Sequence, residues 1–235
     1  MLKYSSIAIV LMIVSSEAFA QHTSFNLNVG LGTYSMADFK NMQKDMKADF
    51  GFNATITDKF PSYAYYEASV LRSFKGFFTG ISAAYGSTGG RVQYRDYSGY
   101  LRIDQNVHYV NVAVSFGARF KLDDKMTLGI DLKPTYTLSY LDLISVQQIS
   151  GSMTRDEYNF KSGTYAVQPG IILTRRIIGN FALNAQVAYY QTLKYDKMYL
   201  KDNNSAYLVD GKDEPINAGW EGLRLSIGAS LLLGK

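Results

Sequence analysis

The chain has 235 residues, of which 47% are hydrophobic and 19% charged, a balance that excludes an intrinsically disordered protein. It contains no cysteine and only two histidines, which excludes thiol catalysis, disulfide scaffolds and cysteine- or histidine-rich metal sites, so no cofactor is expected. The net charge of +4 comes from scattered basic residues, so no nucleic-acid partner is expected either.

The N-terminal residues 1–20 are predicted to be a secretory signal peptide. Lys3 precedes an apolar run over residues 7–14, and Ala18-Phe19-Ala20 has the small-x-small pattern of a cleavage site. The run is shorter than the roughly 20 residues that a transmembrane helix needs. Residues 21–235 are therefore assigned to one mature domain. Since no later segment resembles a spanning helix, this domain can cross a membrane only as a closed β-barrel.

Apolar residues at every second position predict eight β-strands in the mature domain. One face of these strands is rich in Leu, Val, Ile and Phe and edged with Tyr, and the other carries mostly Gly, Ser, Thr, Asn and Ala. Small polar residues suit the interior of a narrow barrel, whereas the apolar face suits lipid. A soluble barrel with a ligand cavity would place the apolar face inside. The predicted strands cover residues 24–33, 63–74, 77–86, 107–120, 126–140, 165–176, 181–193 and 220–233.

Short and long connections alternate between the predicted strands. The short ones are Lys75-Gly76, residues 123–125 and residues 178–180, and the long ones are residues 34–62, 87–106, 141–163 and 194–219. This layout is typical of outer-membrane barrels, which have short periplasmic turns and long extracellular loops. The short turns pair Phe74 with Phe77, and Phe120 with Leu128, which keeps apolar residues on one face.

Two prolines interrupt the predicted ladder. Pro134 and Pro169 lie in the fifth and sixth predicted strands, and a closed barrel offers no free edge to a residue without an N–H group. We therefore expect a bulge or a loosened ladder at these two positions, at similar height in neighbouring strands.

In these features the sequence resembles the outer membrane protein β-barrel domain family of small, mostly eight-stranded barrels. The pattern covers essentially the whole mature chain, and two local stretches are typical: Gly32-Thr33-Tyr34-Ser35-Met36, and residues 87–99 (STGGRVQYRDYSG). The resemblance implies an all-β, eight-stranded, antiparallel up-and-down transmembrane β-barrel with one short helix in the first extracellular loop. It implies the outer membrane of a Gram-negative bacterium as the location, and it implies no single activity and no catalytic residue.

A helix is predicted over residues 36–50 in the first long connection. Ser35 is the expected N-cap and Gly51 the expected stop. The apolar residues recur at roughly helical spacing, which indicates packing on the barrel rim; a lid or a partner-binding helix is the alternative. These apolar residues are Met36, Phe39, Met42, Met46 and Phe50.

Four charged residues fall on the polar face of the strands: Glu67, Arg119, Asp131 and Lys133. Unpaired charges in the lumen would be costly, so we expect them to form an ion-pair network, joined near the periplasmic end by Arg176 and Arg224. This network is either a plug of side chains or, in the alternative interpretation, a selective ion path. Eight strands leave little open lumen, which favours the plug.

Arg91, Tyr94, Arg95 and Tyr97 form a cluster in the second long connection. Tyr and Arg are effective anchors for a protein or glycan partner, and they equally suit a loop lying on lipopolysaccharide. His108 is expected to face lipid as an interfacial aromatic, because no serine accompanies it as a nucleophilic partner would.

The sequence thus predicts a non-catalytic outer-membrane barrel, monomeric, with a structural or surface-binding role through its long loops. Its expected partners are outer-membrane lipid, lipopolysaccharide, the barrel-assembly machinery and an extracellular ligand or protein. A narrow pore or small-solute channel is the main alternative. A lipid-modifying enzyme and a soluble periplasmic β-protein are the other two hypotheses.

Overall fold

The computed structural model describes residues 22–50, 53–97, 99–149 and 151–234, and the strands in these ranges form one antiparallel sheet. The predicted signal peptide, and Gly51 as the predicted end of the helix, lie outside the described residues. In chain order the elements are β1 (His22–Gly32), α1 (Ala37–Asp49), β2 (Thr55–Lys59), β3 (Tyr63–Phe74), β4 (Phe77–Arg95), β5 (Gly99–Lys121), β6 (Met126–Ile149), β7 (Ser152–Ile178), β8 (Phe181–Lys194), β9 (Tyr199–Leu200), β10 (Asn203–Tyr207) and β11 (Gly222–Leu233). Within the described ranges, no helix combines the length and hydropathy needed to span a membrane.

The sheet closes on itself. Each of eight strands pairs with two neighbours in the order β1-β3-β4-β5-β6-β7-β8-β11, and β11 pairs with β1 from Thr23 opposite Leu233 to Gly32 opposite Arg224. The predicted eight-stranded antiparallel barrel is confirmed. Three short strands lie outside the ring: β2 pairs with β4, and β9 pairs with both β7 and β10.

The register agrees with the turns read from the sequence. Phe74 lies opposite Phe77 and Phe120 opposite Leu128, as predicted. The prolines loosen the ladder as expected. Pairing of β5 with β6 is interrupted between Ala113–Thr135 and Phe116–Leu132, next to Pro134, and pairing of β7 with β8 is interrupted at Pro169. Neither interruption shifts the register, because the pairs on both sides of each gap are in phase.

The apolar rows face outward. Leu27 and Ile227 are 69% and 67% exposed, and they belong to a continuous band of Leu, Val, Ile and Phe around the ring. The opposite face is buried and polar, with Ser115, Thr137 and Ser139 fully enclosed. A soluble barrel would have the reverse arrangement, because its apolar residues would fill the interior.

The predicted long connections over residues 87–106 and 141–163 are wrong. β4 and β5 continue to a tight turn beyond Arg95, and β6 and β7 continue to a turn at Gly151, so both connections are long hairpins. We call this region, with residues 87–95, 99–106, 141–149 and 152–163, the extended sheet. The backbone ladder continues there, but its buried face includes Thr88, Gly90 and Gln105 and not only apolar residues, so the apolar alternation that marks a strand in the sequence is lost.

The barrel is filled at its long-connection end by an apolar cluster that we call the plug: Tyr34, Met36, Phe39, Met198, Ile216 and Trp220. Trp220 was predicted to begin the last strand, but β11 begins at Gly222 and Trp220 turns inward, fully buried. Gly222 has φ +147°, and a Cβ there would lie 1.9 Å from the carbonyl oxygen of Thr33. Only glycine therefore fits where the chain leaves the plug and joins the barrel.

The helix is present but begins differently from the prediction. Residue Met36, with φ 45°, precedes the first turn, and no side chain caps it. Ser35 does not act as the N-cap, because Met36 occupies that position; the N–H group of Ser35 donates to the carbonyl of Glu221. Phe39 and Met42 face the barrel and are buried, so the apolar face of α1 is covered by the chain itself.

Candidate functional site

A cluster of charged side chains crosses the middle of the lumen. Lys133 on β6 donates from Nζ to Oε1 of Glu67 on β3 at 2.7 Å, and the same Nζ lies 3.7 Å from Oδ2 of Asp131. All three side chains are at most 6% exposed. Gln186 Nε2 donates to Asp131 at 3.4 Å. We call Glu67, Asp131 and Lys133 the luminal charge cluster; the structure brings together three of the four residues predicted for this network.

Arg119, the fourth residue, lies closer to the short-turn end. Its Nη1 donates to Ser73 Oγ at 2.9 Å and lies 3.2 Å from Nε2 of His22, and its guanidinium stands 4.9 Å from the ring centre of Phe78. Arg119 and Lys133 line the same small polar cavity of about 20 Å³, so little open space separates them. Arg176 lies at the short-turn end as predicted, but it is exposed.

Arg224 was expected near the periplasmic end, and this placement is wrong. β11 runs from the long-connection end toward the short turns, so its third residue lies beneath the plug. The Arg224 guanidinium is surrounded by the rings of Tyr190, Tyr109 and Tyr65 at 4.1, 5.2 and 5.6 Å from their centres. It also donates to Gln168 Oε1 at 3.1 Å. Cation–π contacts thus stabilise a buried charge that has no carboxylate within ion-pair distance in the described part of the chain.

The plug closes the lumen above this arginine. The Trp220 ring packs edge-on against Tyr109 and Tyr34, with ring centres at 4.5 and 5.0 Å, and its Nε1 donates to Ser139 Oγ at 2.8 Å. Burial raises the pKa of Tyr34 above its ordinary value. A second contact ties α1 to the connection before β11. The backbone N–H and the side-chain Nδ2 of Asn217 both donate to Asp38 Oδ2, at 3.0 and 3.1 Å.

The four residues predicted for loop binding do not converge on one site. Arg91 lies on the outer face of β4, where its Nε donates to Asp104 Oδ1 at 2.5 Å. This bond raises the pKa of Arg91 further. Tyr94 lies on the other face and donates to Asp96 Oδ2 at 3.0 Å, whereas Arg95 and Tyr97 stand exposed at the hairpin tip. Arg91 alone therefore belongs to a structured polar site.

That site is a cleft on the outer wall, which we call the rim cleft. It has a volume of about 450 Å³, and its lining includes Asp58, Tyr63, Tyr85, Gly89, Arg91 and His108. His108 faces outward with its ring stacked on Tyr140 at 5.1 Å and close to Tyr85 at 6.3 Å. This aromatic row lies at the upper border of the apolar band, which is where interfacial aromatics are expected in a barrel.

The extended sheet has one open edge. Residues 152–158 of β7 pair with β6 on one side and, within the described residues, have no strand on the other side, where β9 pairs with Phe160 and Lys161, Lys201 N–H donates to the carbonyl of Asn159, and β8 begins to pair at Tyr165. The side chains from Ser152 to Tyr158 are all exposed. The opposite margin of the extended sheet is shielded, because β2 pairs with β4. An unpaired strand edge is a template for adding another strand.

Sequence reasoning missed the tyrosine cage around Arg224, the inward turn of Trp220 and the open edge of β7. The alternation of side chains along the last strand had placed Arg224 in the lumen. Only the direction in which β11 runs places it at the long-connection end. A signal for the plug was present, since a single tryptophan beside Gly219 and Gly222 breaks the alternation at that point. Among the described residues, no three His, Asp or Glu side chains are placed to hold a metal ion.

Comparison with known proteins gives similarity to small barrels of the bacterial surface. No protein-family model matches the chain, and no curated protein matches its sequence. Ail, the attachment invasion locus protein of Yersinia pestis, is 11% identical over 91% of this chain and 99% of its own, with a TM-score of 0.39. Ail in complex with the heparin analogue sucrose octasulfate is 11% identical over 90% of this chain and 99% of its own, with a TM-score of 0.33. Neisserial surface protein A is 10% identical over 92% of this chain and 99% of its own, with a TM-score of 0.34. Because these identities and TM-scores are low, no function is assigned from these proteins. The assignment of an eight-stranded barrel is based on the strand pairing of this chain.

Proposed function

We propose that the protein is an outer-membrane β-barrel that spans lipid and has a structural and surface-binding role without catalysis. The observation that carries this proposal is the outward band of Leu, Val, Ile and Phe around a closed ring whose interior is polar and buried. Apolar side chains on that scale are costly in water and stable in acyl chains, and a closed ring leaves no backbone edge unpaired in lipid. The proposal includes a removable signal peptide over residues 1–20.

The long-connection end is proposed to face the cell surface. Barrels of this kind carry short turns on the periplasmic side and long connections outside, and the turns at Lys75-Gly76, at residues 122–125 and at Gly179-Asn180 share one end. The extended sheet, α1 and the rim cleft would then lie at or beyond the outer boundary of the membrane.

Migration in unboiled detergent gels, together with cell fractionation, tests the location. A folded barrel keeps its compact shape in detergent until it is boiled, so we expect faster migration before boiling than after, and recovery in the outer-membrane fraction. Release into the osmotic-shock fraction with no heat-dependent shift would contradict the proposal and favour a soluble periplasmic protein.

A narrow pore remains the second candidate, and the plug argues against it. Trp220, Tyr109 and Tyr34 close the long-connection end, and the luminal charge cluster fills the middle. We therefore expect purified protein in planar bilayers to show no discrete conductance steps. Steps that change size in a Lys133→Met variant would establish the pore instead.

Surface binding is proposed to use the open edge of β7, residues 152–158, by addition of a strand from a partner protein. The edge offers backbone N–H and C=O groups, and its exposed charges Arg155, Asp156 and Glu157 would select among partners rather than bind any strand. A fluorescent peptide with the sequence of residues 142–149, which already pairs with this segment from the β6 side, is a suitable probe.

Fluorescence anisotropy with the refolded full-length protein measures this binding. We expect saturable binding of the peptide and none of the same peptide methylated at alternate backbone nitrogens, because methylation removes the donors of a strand ladder. Equal binding of the two peptides would show that the edge does not pair.

A further inference from the structure

The short-turn end of the barrel is strongly basic. It carries seven cationic side chains and two carboxylates, whereas the other described residues carry fifteen cationic side chains and seventeen carboxylates. The excess positive charge of the described chain is therefore concentrated at one end. The charged residues of that end are Arg72, Lys75, Arg119, Lys121, Lys125, Arg175 and Arg176, with Asp123 and Asp124.

The two carboxylates of this end are already engaged. Asp124 Oδ1 accepts a bond from Lys121 Nζ at 2.6 Å. Asp123 Oδ1 accepts the backbone N–H groups of Lys125 and Met126, at 2.7 Å each. The turn between β5 and β6 thus uses its acidic groups to hold its own shape.

Three cations from β7 and from the turn before β6 come together beside Asp123. Arg175 lies opposite Met126, and the N–H group of Arg176 donates to the carbonyl of Lys125 at 2.7 Å. The backbone therefore places Lys125 beside Arg176. All three side chains are exposed, and none forms an ion pair within the part of the chain that the structure describes. We call Lys125, Arg175 and Arg176 the basic corner.

The basic corner has an excess of two positive charges even when Asp123 is counted. Like charges on neighbouring strands repel each other, so the arrangement costs free energy in the absence of an anion. A phosphate group beside these three side chains would remove that repulsion and accept charge-assisted hydrogen bonds from them.

Apolar side chains surround the basic corner. Arg175 lies in the outward row of β7 between Leu173 and Ile177, and Ile178 and Phe181 at the following turn are 72% and 58% exposed. Such residues are costly in water, so the lipid layer extends down to the turn. Arginine and lysine at this level lay their aliphatic stems along the apolar surface and hold their charges among lipid head groups.

The charge and the location together indicate which lipid fits. In the proposed orientation the short turns face the periplasm, where the leaflet consists of phospholipids and not of lipopolysaccharide. A zwitterionic head group adds an ammonium for each phosphate, and the carboxylates that could receive it, Asp123 and Asp124, are already bonded. An anionic head group adds no cation to a site that already has too many.

We propose that the basic corner binds one anionic phospholipid of the phosphatidylglycerol class. Its phosphate lies at Lys125, Arg175 and Arg176, and an acyl chain runs along the outward surface at Leu173 and Leu183, next to Arg175. This inference rests on the proposed function, since the site meets a phospholipid only if the barrel spans the membrane with its short turns inside.

Native mass spectrometry of the full-length protein in maltoside detergent tests the site. Phosphatidylglycerol and phosphatidylethanolamine with identical acyl chains are titrated separately. We expect about tenfold stronger retention of phosphatidylglycerol, because each cation near a head group favours the anionic lipid. The double variant Arg175→Gln, Arg176→Gln should reduce this preference to near equality.

Two control variants separate the site from net charge and from folding. Arg95→Gln with Arg155→Gln removes the same charge at the opposite end and should leave the preference unchanged. Arg175→Lys with Arg176→Lys keeps the charge and should retain most of the preference. Equal retention of both lipids by the unmodified protein, or an undiminished preference in Arg175→Gln, Arg176→Gln, would overturn the inference. Loss of the preference in the Arg95, Arg155 control would also overturn it.

The failure of this site and the failure of the proposed function give different results. A barrel that shows the heat-dependent gel shift and inserts into vesicles, yet has no lipid preference, loses only the site. A protein that fails to insert loses the proposed function as well.

Discussion

The stability of the buried charges inside the barrel depends on single residues. Lys133 is the only cation within 4.0 Å of Glu67 and Asp131 in the described residues, and all three groups are almost completely buried. The cluster has one more carboxylate than ammonium, so the protein depends on Lys133 to keep two acidic groups inside the barrel. The alternation of side chains along the strands was sufficient to predict that these three residues face the lumen.

The first prediction follows from that dependence. Lys133→Met should lower the free energy of unfolding by about 3–5 kcal/mol, because it leaves two buried carboxylates without a counter-charge. Urea titration of the gel-mobility shift measures this change. The double variant Lys133→Met, Glu67→Gln should regain a large part of the loss, since it removes one of the unpaired charges. Equal stability of the single and the double variant would show that the ion pair is not what holds the cluster.

A second prediction concerns the turn between β3 and β4. Lys75 has φ 46° and Gly76 has φ 86°, the pattern of a two-residue hairpin in which both central residues are left-handed. A lysine is strained in this conformation, whereas asparagine tolerates it. Lys75→Asn should therefore raise the free energy of unfolding by up to about 1 kcal/mol. Lys125→Asn, in a turn where φ is not positive, should change it much less in the same urea titration.

At the level of elements, the strands inside the apolar band were predictable and the structures above it were not. In the band, lipid-facing and lumen-facing residues differ in polarity at every step, so residues such as Leu27 and Asn28 reveal both strand and face. The extended sheet lacks this contrast, and its strands are held by backbone pairing and tight turns instead. Trp220 was misplaced because its inward turn depends on Tyr109 and Ser139, which are distant in sequence.

The plug offers a direct measurement, because Trp220 is the single tryptophan of the chain. Asn217→Ala removes the side-chain bond from Nδ2 to Asp38 Oδ2, one of the two bonds that tie α1 to the connection before β11, at a cost of about 1–3 kcal/mol. We expect Trp220 fluorescence to resist quenching by iodide in the unmodified protein and to be quenched more readily in this variant. Asn203→Ala, in the exposed β10, serves as the matched control. Identical quenching of Asn217→Ala and the unmodified protein would mean that the side-chain bond does not hold the plug closed.

At the level of the whole molecule, the two ends of the barrel present different surfaces to the two sides of a membrane. Arg95 and Arg155 are exposed near the tips of the extended sheet, whereas Lys75 and Lys125 are exposed at the opposite end. The alternation of short turns with long connections already indicated this polarity in the sequence. The height and the open edge of the extended sheet could not be inferred, because they depend on which strands continue to pair.

Trypsin treatment of intact cells tests the orientation. We expect cleavage near Arg95 or Arg155, and protection of Lys75 and Lys125 until the outer membrane is permeabilised. Mass spectrometry of the released and retained peptides identifies the sites. Cleavage at Lys75 in intact cells would show that the barrel has the opposite orientation.

The contact between β1 and β11 has a consequence for synthesis. These strands hold each other although their residues lie far apart in the chain, as Thr33 and Leu223 do with a separation of 190 positions. β1 therefore has to keep the edge that faces β11 unpaired until β11 has been made, and loop-closure entropy makes this pairing slow. A truncated product without β11 would leave one edge of β1 and one edge of β8 unpaired. We therefore expect such fragments to aggregate and to depend on chaperones or be degraded.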